Sequence, residues 1–269
     1  MILSAISLGR YVPGSSLLHR ADPRTKVILT LLLMGALFAV KSYPAFIFLL
    51  VFLLLMTLGA GRSLSHQFRG LRPILWLAAC ALLFNLLFIK GTPVAVAGIL
   101  HYVSWEGVNF SLKMLLRLTL LVLIASLLTL TTTPLALVAG LESLLQPLKR
   151  CKVPVHQWTM MLALALRFIP VIVEEGERII KAQSSRSALF NRGNLRQRLQ
   201  SFLPLLMPLF IALFRRGDAL ATAMEARCYR GDVERSRMRP LQFSSVDLVN
   251  SFILFIFLMI LFFIEFRQP

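Results

Sequence analysis

Apolar runs of about the length that crosses a hydrocarbon core recur five times in this chain, near residues 25–40, 43–60, 73–89, 108–132 and 246–264. Lipid offers no water to bond a backbone, so such runs must be helices that satisfy their own N–H and C=O groups. This predicts an all-α integral membrane protein with about five transmembrane helices. Composition agrees, because 57% of the residues are hydrophobic and only 15% are charged, beyond the roughly half-apolar make-up of soluble domains. Pro44 and Pro73 stand at the first turns of the second and third runs, where a missing N–H costs little. Gly59 and Gly61 close the second run, and Thr131-Thr132-Thr133-Pro134 closes the fourth. The stretch 93–103 is apolar but too short to cross, and reads as an outer loop or re-entrant piece.

The runs are interrupted between the fourth and fifth by residues 133–244, which hold 17 of the 29 Lys/Arg and 8 of the 12 Asp/Glu. The chain thus divides into an N-terminal membrane domain (1–132), an inserted three-helix domain (133–244) and a C-terminal span (245–269). With the N-terminus inside, cytoplasmic segments hold Arg10, Arg20, Arg24, Lys26, Arg62, Arg69, Arg72 and the seventeen cations of the insert. Outer segments hold only Lys41, Lys90 and Arg267. That bias predicts a cytoplasmic N-terminus, a cytoplasmic insert and an external C-terminus. Lys113 and Arg117, one turn apart in the fourth run, are expected to snorkel outward, the alternative being a polar contact with a partner subunit.

Three helices are readable in the insert. The first follows Pro134 and runs to about Leu145. The second starts at Pro154, carries Leu162, Leu166, Ile169 and Val173 on one stripe, and runs to about Phe190; Pro170 should kink it. The third runs from about Leu195 to Arg227, with Pro204 and Pro208 in its apolar half, and Tyr229-Arg230-Gly231 terminates it. The last two share one plan: an apolar first half, then a polar second half ending in an Arg between small residues. These ends are Ser185-Arg186-Ser187 and Ala226-Arg227-Cys228. Small neighbours let a helix end drop into a groove of another protein, and the guanidinium fork then binds a carboxylate. A single Arg there could instead merely complement the helix dipole. Two such ends in one insert favour docking.

Other chemistries find little support. The net charge of +17 fits cytoplasmic loops and anionic headgroups of the lipid bilayer; without aromatic residues interleaved for base stacking, no nucleic-acid partner is expected. Cys80, Cys151 and Cys228 are isolated and odd in number, and the four His are scattered, so neither a metal site nor a disulfide framework is expected. Arg20, Arg24 and Lys26 precede a full-length span without a small-residue cleavage site, unlike a cleaved signal. A membrane enzyme would need ionisable pairs within its spans; Glu174, Glu175 and Glu177 lack His partners and read as a solvated helix face. No Gly-rich phosphate loop is present, so no catalytic residue and no cofactor are expected. A conventional permease with its own substrate pathway remains the alternative, although such a pathway would need polar residues at mid-membrane.

Several segments resemble the transmembrane T component of energy-coupling factor (ECF) vitamin transporters, in its shared-module form. They are Gly9-Arg10-Tyr11, Pro13-Gly14 and Leu18-His19-Arg20-Ala21-Asp22-Pro23-Arg24-Thr25-Lys26; Arg167-Phe168-Ile169-Pro170 with Glu174-Glu175 and Ala182-Gln183; and Phe214-Arg215-Arg216, Ala223-Met224-Glu225-Ala226-Arg227 and Tyr229-Arg230-Gly231. The resemblance implies a coupling subunit without catalysis of its own. It implies two cytoplasmic ABC-type ATPase subunits as partners, and a membrane-embedded S component that binds the vitamin. By position, Arg186 and Arg227 with their neighbours Ser185, Ser187, Ala226 and Cys228 would dock in ATPase grooves. The family usually has Ala-Arg-Gly at both motifs. Ser187 and Cys228 replace that Gly and forgo its freedom at positive φ, which predicts helix ends that fray or turn differently.

Overall fold

A computed structural model describes residues 14, 16–59, 76, 80, 84, 105–185, 195–231 and 242–267. Among these every regular element is helical: α1 (Leu17–Arg20), α2 (Pro23–Ala39), α3 (Tyr43–Gly59), α4 (Trp105–Thr131), α5 (Pro134–Leu145), a 3-10 turn (Gln146–Cys151), α6 (Val155–Ser184), α7 (Leu195–Ala226) and α8 (Ser245–Phe266). Two are long and apolar enough to cross a membrane, α4 over Gly107–Thr131 and α8; α3 is a shorter apolar helix. Of the expected span at 73–89 only Trp76, Cys80 and Phe84 are described, all helical. The stretch 93–103 lies outside the described residues. The 3-10 turn was not foreseen: Pro147 removes a backbone donor two residues after α5 ends, and the turn closes on Lys152 at φ 61°. α6 passes through Pro170, and α7 through Pro204 and Pro208, each within one continuous helix.

The chain forms two compact units. One contains α1 to α4, most of α5, and α8; the other contains the end of α5, the 3-10 turn, α6 and α7. In the first, α2, α3, α4 and α8 enclose a core that includes Leu37, Phe46, Leu49, Leu53, Leu120, Ile124 and Phe257. Phe257 stacks on Phe48 and Phe52, at 5.0 and 3.8 Å between ring centroids. The outward faces stay apolar, with Leu31, Phe38, Ile47, Leu55, Phe252 and Phe263 all exposed. A water-facing surface like this would aggregate; against lipid tails it is matched.

Lipid also removes most hydrophobic drive between helices, so packing and polar contacts set their register. Here Asp247, Lys26, Glu265 and Arg117 each serve backbone groups at helix ends. Asp247, buried in the first turn of α8, accepts from Ser244 N–H at 2.8 Å in a capping box. It also accepts from Asp22 N–H at 2.7 Å and from Thr25 Oγ1 at 2.8 Å, both at the start of α2. Lys26 Nζ donates to Thr131 O at 3.1 Å, at the end of α4, and to His19 O at 3.2 Å in α1. Glu265 accepts from Lys41 N–H, Ser42 N–H and Ser42 Oγ, at 2.9, 3.2 and 2.6 Å, where α3 begins. Arg117 Nη2 donates to Val40 O at 2.7 Å, where α2 ends, and its guanidinium lies 5.8 Å from the Phe46 ring. Acids thus meet helix N-termini and bases meet C-termini, as the helix dipole favours.

Asp247 and Glu265 are eighteen residues apart, about 27 Å along a helix and close to one hydrocarbon thickness. Both carboxylates therefore stand at the ends of the span and none at its middle. Their contacts make α8 parallel to α2 and antiparallel to α3. Lys113, expected to snorkel, lies 5.1 Å from the ring of Tyr43, and Arg117 is held by Val40 O; both partners belong to the chain itself. Gly140 brings α5 against the first turn of α2: a Cβ there would come within 3.0 Å of Pro23 Cβ.

Candidate functional site

α6 and α7 are 30 and 32 residues long, about 45 and 48 Å at helical rise. α7 runs back along α6. Tyr229, just past the end of α7, donates from its hydroxyl to Met160 Sδ in the second turn of α6, at 2.9 Å. Ser185, at the other end of α6, is 25 residues from Met160, about 37 Å along the axis. The C-termini of the two helices therefore point to opposite ends of the pair. Near the start of α6, buried His156 bonds Glu142 Oε1 through Nδ1 at 2.9 Å and ties α5 to α6.

The two Arg-bearing ends differ in what can be described. At the first, Ser185 is the exposed cap of α6 with helical φ and ψ, and its N–H donates to Lys181 O at 3.2 Å. Ser184 Oγ and Ser185 Oγ donate to that same carbonyl at 2.8 and 3.1 Å. Arg186 and Ser187 lie outside the described residues. At the second, Cys228 N–H donates to Glu225 O at 2.8 Å and Tyr229 N–H donates to Met224 O at 3.0 Å. This pair of bonds is a Schellman closure with Cys228 in the left-handed position, at φ 56°. The expectation that lacking Gly would fray or redirect this end is therefore corrected. The turn forms as it would with Gly, because its two backbone bonds and the Tyr229 contact offset the cost of placing a Cβ there.

Ala226, Arg227 and Cys228 are all exposed, and Arg227 has no acidic partner among the described residues. A fixed backbone turn thus presents a free guanidinium between two small side chains. The acidic run on α6 is occupied by a solvent-facing contact, Arg178 with Glu175 at 3.9 Å. Among the described residues no group of His, Cys, Asp and Glu is placed to hold a metal. Both helices also expose large apolar side chains in their first halves: Trp158, Met161 and Leu162 on α6, and Met207, Phe210 and Phe214 on α7. Sequence reasoning missed the Asp22–Thr25–Asp247 knot. Its one signal was an Asp at the first turn of an otherwise apolar run.

Apolar helices pinned by end-capping charges, together with long exposed helices, define an all-α membrane protein. Comparison with known proteins makes this particular. The family model for CbiQ, described as a cobalt transport protein, matches residues 14–240. The chain is 49% identical over 253 residues to the energy-coupling factor transporter transmembrane protein EcfT of Ruminiclostridium cellulolyticum, covering 94% of each chain. It is 46% identical over 243 residues to EcfT of Thermosediminibacter oceani, covering 90% of this chain and 91% of that one. With EcfT of Acidaminococcus fermentans it shares 39% identity over 272 residues, covering both chains in full. The chain belongs to the CbiQ/EcfT family of transmembrane components of energy-coupling factor transporters. It is a transmembrane transporter component of the bacterial cell membrane.

Proposed function

We propose that this chain couples two cytoplasmic ABC-type ATPase subunits to a membrane-embedded S component, for uptake of vitamins or similar micronutrients. Arg186, between Ser185 and Ser187, and Arg227, between Ala226 and Cys228, each dock against acidic residues of one ATPase. ATP hydrolysis takes place on those partners. Their movement is carried along α6 and α7 to the S component, which alone selects the cargo. The exposed apolar halves of these helices suit a membrane-embedded partner that must slide and exchange, since smooth faces impose no specific lock. Charge bias supports a cytoplasmic N-terminus and insert with an external C-terminus.

The carrying observation is that the two helix ends lie at opposite ends of the α6–α7 pair, with Arg227 exposed on a closed turn. Two grips about 40 Å apart suit two ATPase subunits that move relative to one another. Fixing the backbone in advance also lowers the ordering cost of binding. The test is the double variant Arg186→Glu with Arg227→Glu, expressed with the ATPases and an S component. Uptake should be abolished and co-purification of the ATPases should fall more than tenfold, while the chain still reaches the membrane in normal amount. Normal assembly with normal transport would overturn the proposal.

A further inference from the structure

Three cations that the sequence scatters are gathered by the fold into one groove between α2 and α4. Lys41, Lys113 and Arg117 line it with Phe38, Phe110 and Met114, around about 510 Å³ of space. Phe38 and Phe110 are more than half exposed, so the groove opens toward the hydrocarbon. Cations within a membrane span are costly unless partnered, and those near its ends reach for the interface. Lys113 rests on the Tyr43 ring, which leaves its N–H donors free. Arg117 gives Nη2 to Val40 O, while its Nε is buried and has no acceptor among the described residues. No acidic side chain lines the groove among the described residues. Glu265, which meets the backbone of Lys41, is already engaged by Ser42.

We infer that this groove binds one anionic phospholipid. Its phosphate lies among Lys41, Lys113 and Arg117, and an acyl chain runs inward down the apolar wall past Leu118 and Leu121. Charge complementarity and amphipathic shape select this occupant: a phosphate meets the three cations and an acyl chain covers the apolar wall that a soluble anion would leave bare. Basic pockets between membrane helices hold anionic headgroups in this manner. The site is independent of the coupling motifs. The charge-derived topology, with Lys41 in an outer segment, puts the groove at the outer leaflet.

The test titrates the purified full-length chain in detergent with phosphatidylglycerol and with phosphatidylcholine of identical acyl chains, read by native mass spectrometry. The chain should retain phosphatidylglycerol about tenfold more strongly. Lys41→Gln with Lys113→Gln should bring retention down to the phosphatidylcholine level in a chain that still folds, because the Arg117 cap on Val40 is untouched. The control Lys149→Gln with Lys152→Gln should keep the preference. Equal retention of both lipids by the unaltered chain, or a preference surviving in the groove variant, would overturn the site. A photoreactive benzoylphenylalanine replacing Phe110 should crosslink lipid in cells that contain the whole transporter. Capture of a membrane protein there would instead assign the groove to a partner subunit.

Discussion

Cys228 shows how a single side chain can carry a backbone cost for a functional turn. A non-Gly residue in the left-handed region costs about 1–2 kcal/mol, and Cys228 holds φ 56° beside Arg227. Replacing it by Gly should remove that strain, although Gly also loses more backbone entropy on folding. The expected net gain is about 0.5–1 kcal/mol, seen as a higher melting temperature of the purified chain. Cys228→Val should do the reverse, since a β-branched side chain at positive φ is worse still. If the turn presents Arg227, the Val variant should also weaken ATPase co-purification while the Gly variant leaves it intact. Equal melting temperatures for all three would show that the turn stores no strain.

Charges at helix ends decide how the helices pair. α8 is apolar along its length, so its packing face alone would tolerate sliding by a turn. Asp247 and Glu265 prevent that by bonding the starts of α2 and α3 at the two ends of α8. Asp247→Ala would leave buried Asp22 N–H without an acceptor and uncap Ser244 N–H, while Thr25 Oγ1 keeps its bond to Asp22 O. At about 1–3 kcal/mol for a buried unpaired group, with the lost cap adding about 1 kcal/mol, the loss should reach about 2–4 kcal/mol. It should appear as a sharply lower melting temperature and reduced membrane yield. Asp247→Asn keeps one acceptor oxygen and should lose less than Asp247→Ala. An Ala variant as stable as the parent would remove the knot from any role in register. Lys26 extends this network to Thr131, just before the chain leaves α4 for the insert.

For the molecule as a whole, sidedness is the property on which the proposed function stands. Cys151 and Cys228 are both exposed reporters within the insert. In intact cells expressing the chain without its ATPases, a membrane-impermeant maleimide should leave both unlabelled. Permeabilised cells should show both labelled. Labelling of Cys228 from outside would place the docking helices on the wrong face for any cytoplasmic motor.

Much of this architecture was legible because the bilayer imposes a one-dimensional rule. A helical segment in lipid must be apolar along most of its length, so α3, α4 and α8 announce themselves as runs, and Pro and Gly mark their ends. The boundaries of α5 and the start of α7 followed from the same punctuation. Arg227 at a helix end was visible in the same way, as a charge between small residues before Tyr229-Arg230-Gly231. The left-handed turn at Cys228 was not visible, because φ there depends on bonds from two later residues back to Met224 and Glu225. The knot of Asp22, Thr25 and Asp247 was hidden for another reason: its members are more than two hundred residues apart in sequence, and nothing local predicts that partnership. The same holds for Lys41, which read as an outer-segment cation, and for Lys113 and Arg117, which read as a snorkelling pair; the three form one basic groove only when α2 and α4 pack. Helix identity is encoded locally, by hydrophobicity and chain punctuation. Which charge meets which helix end is decided by tertiary packing, because in lipid those few polar contacts are what distinguishes one register from the next.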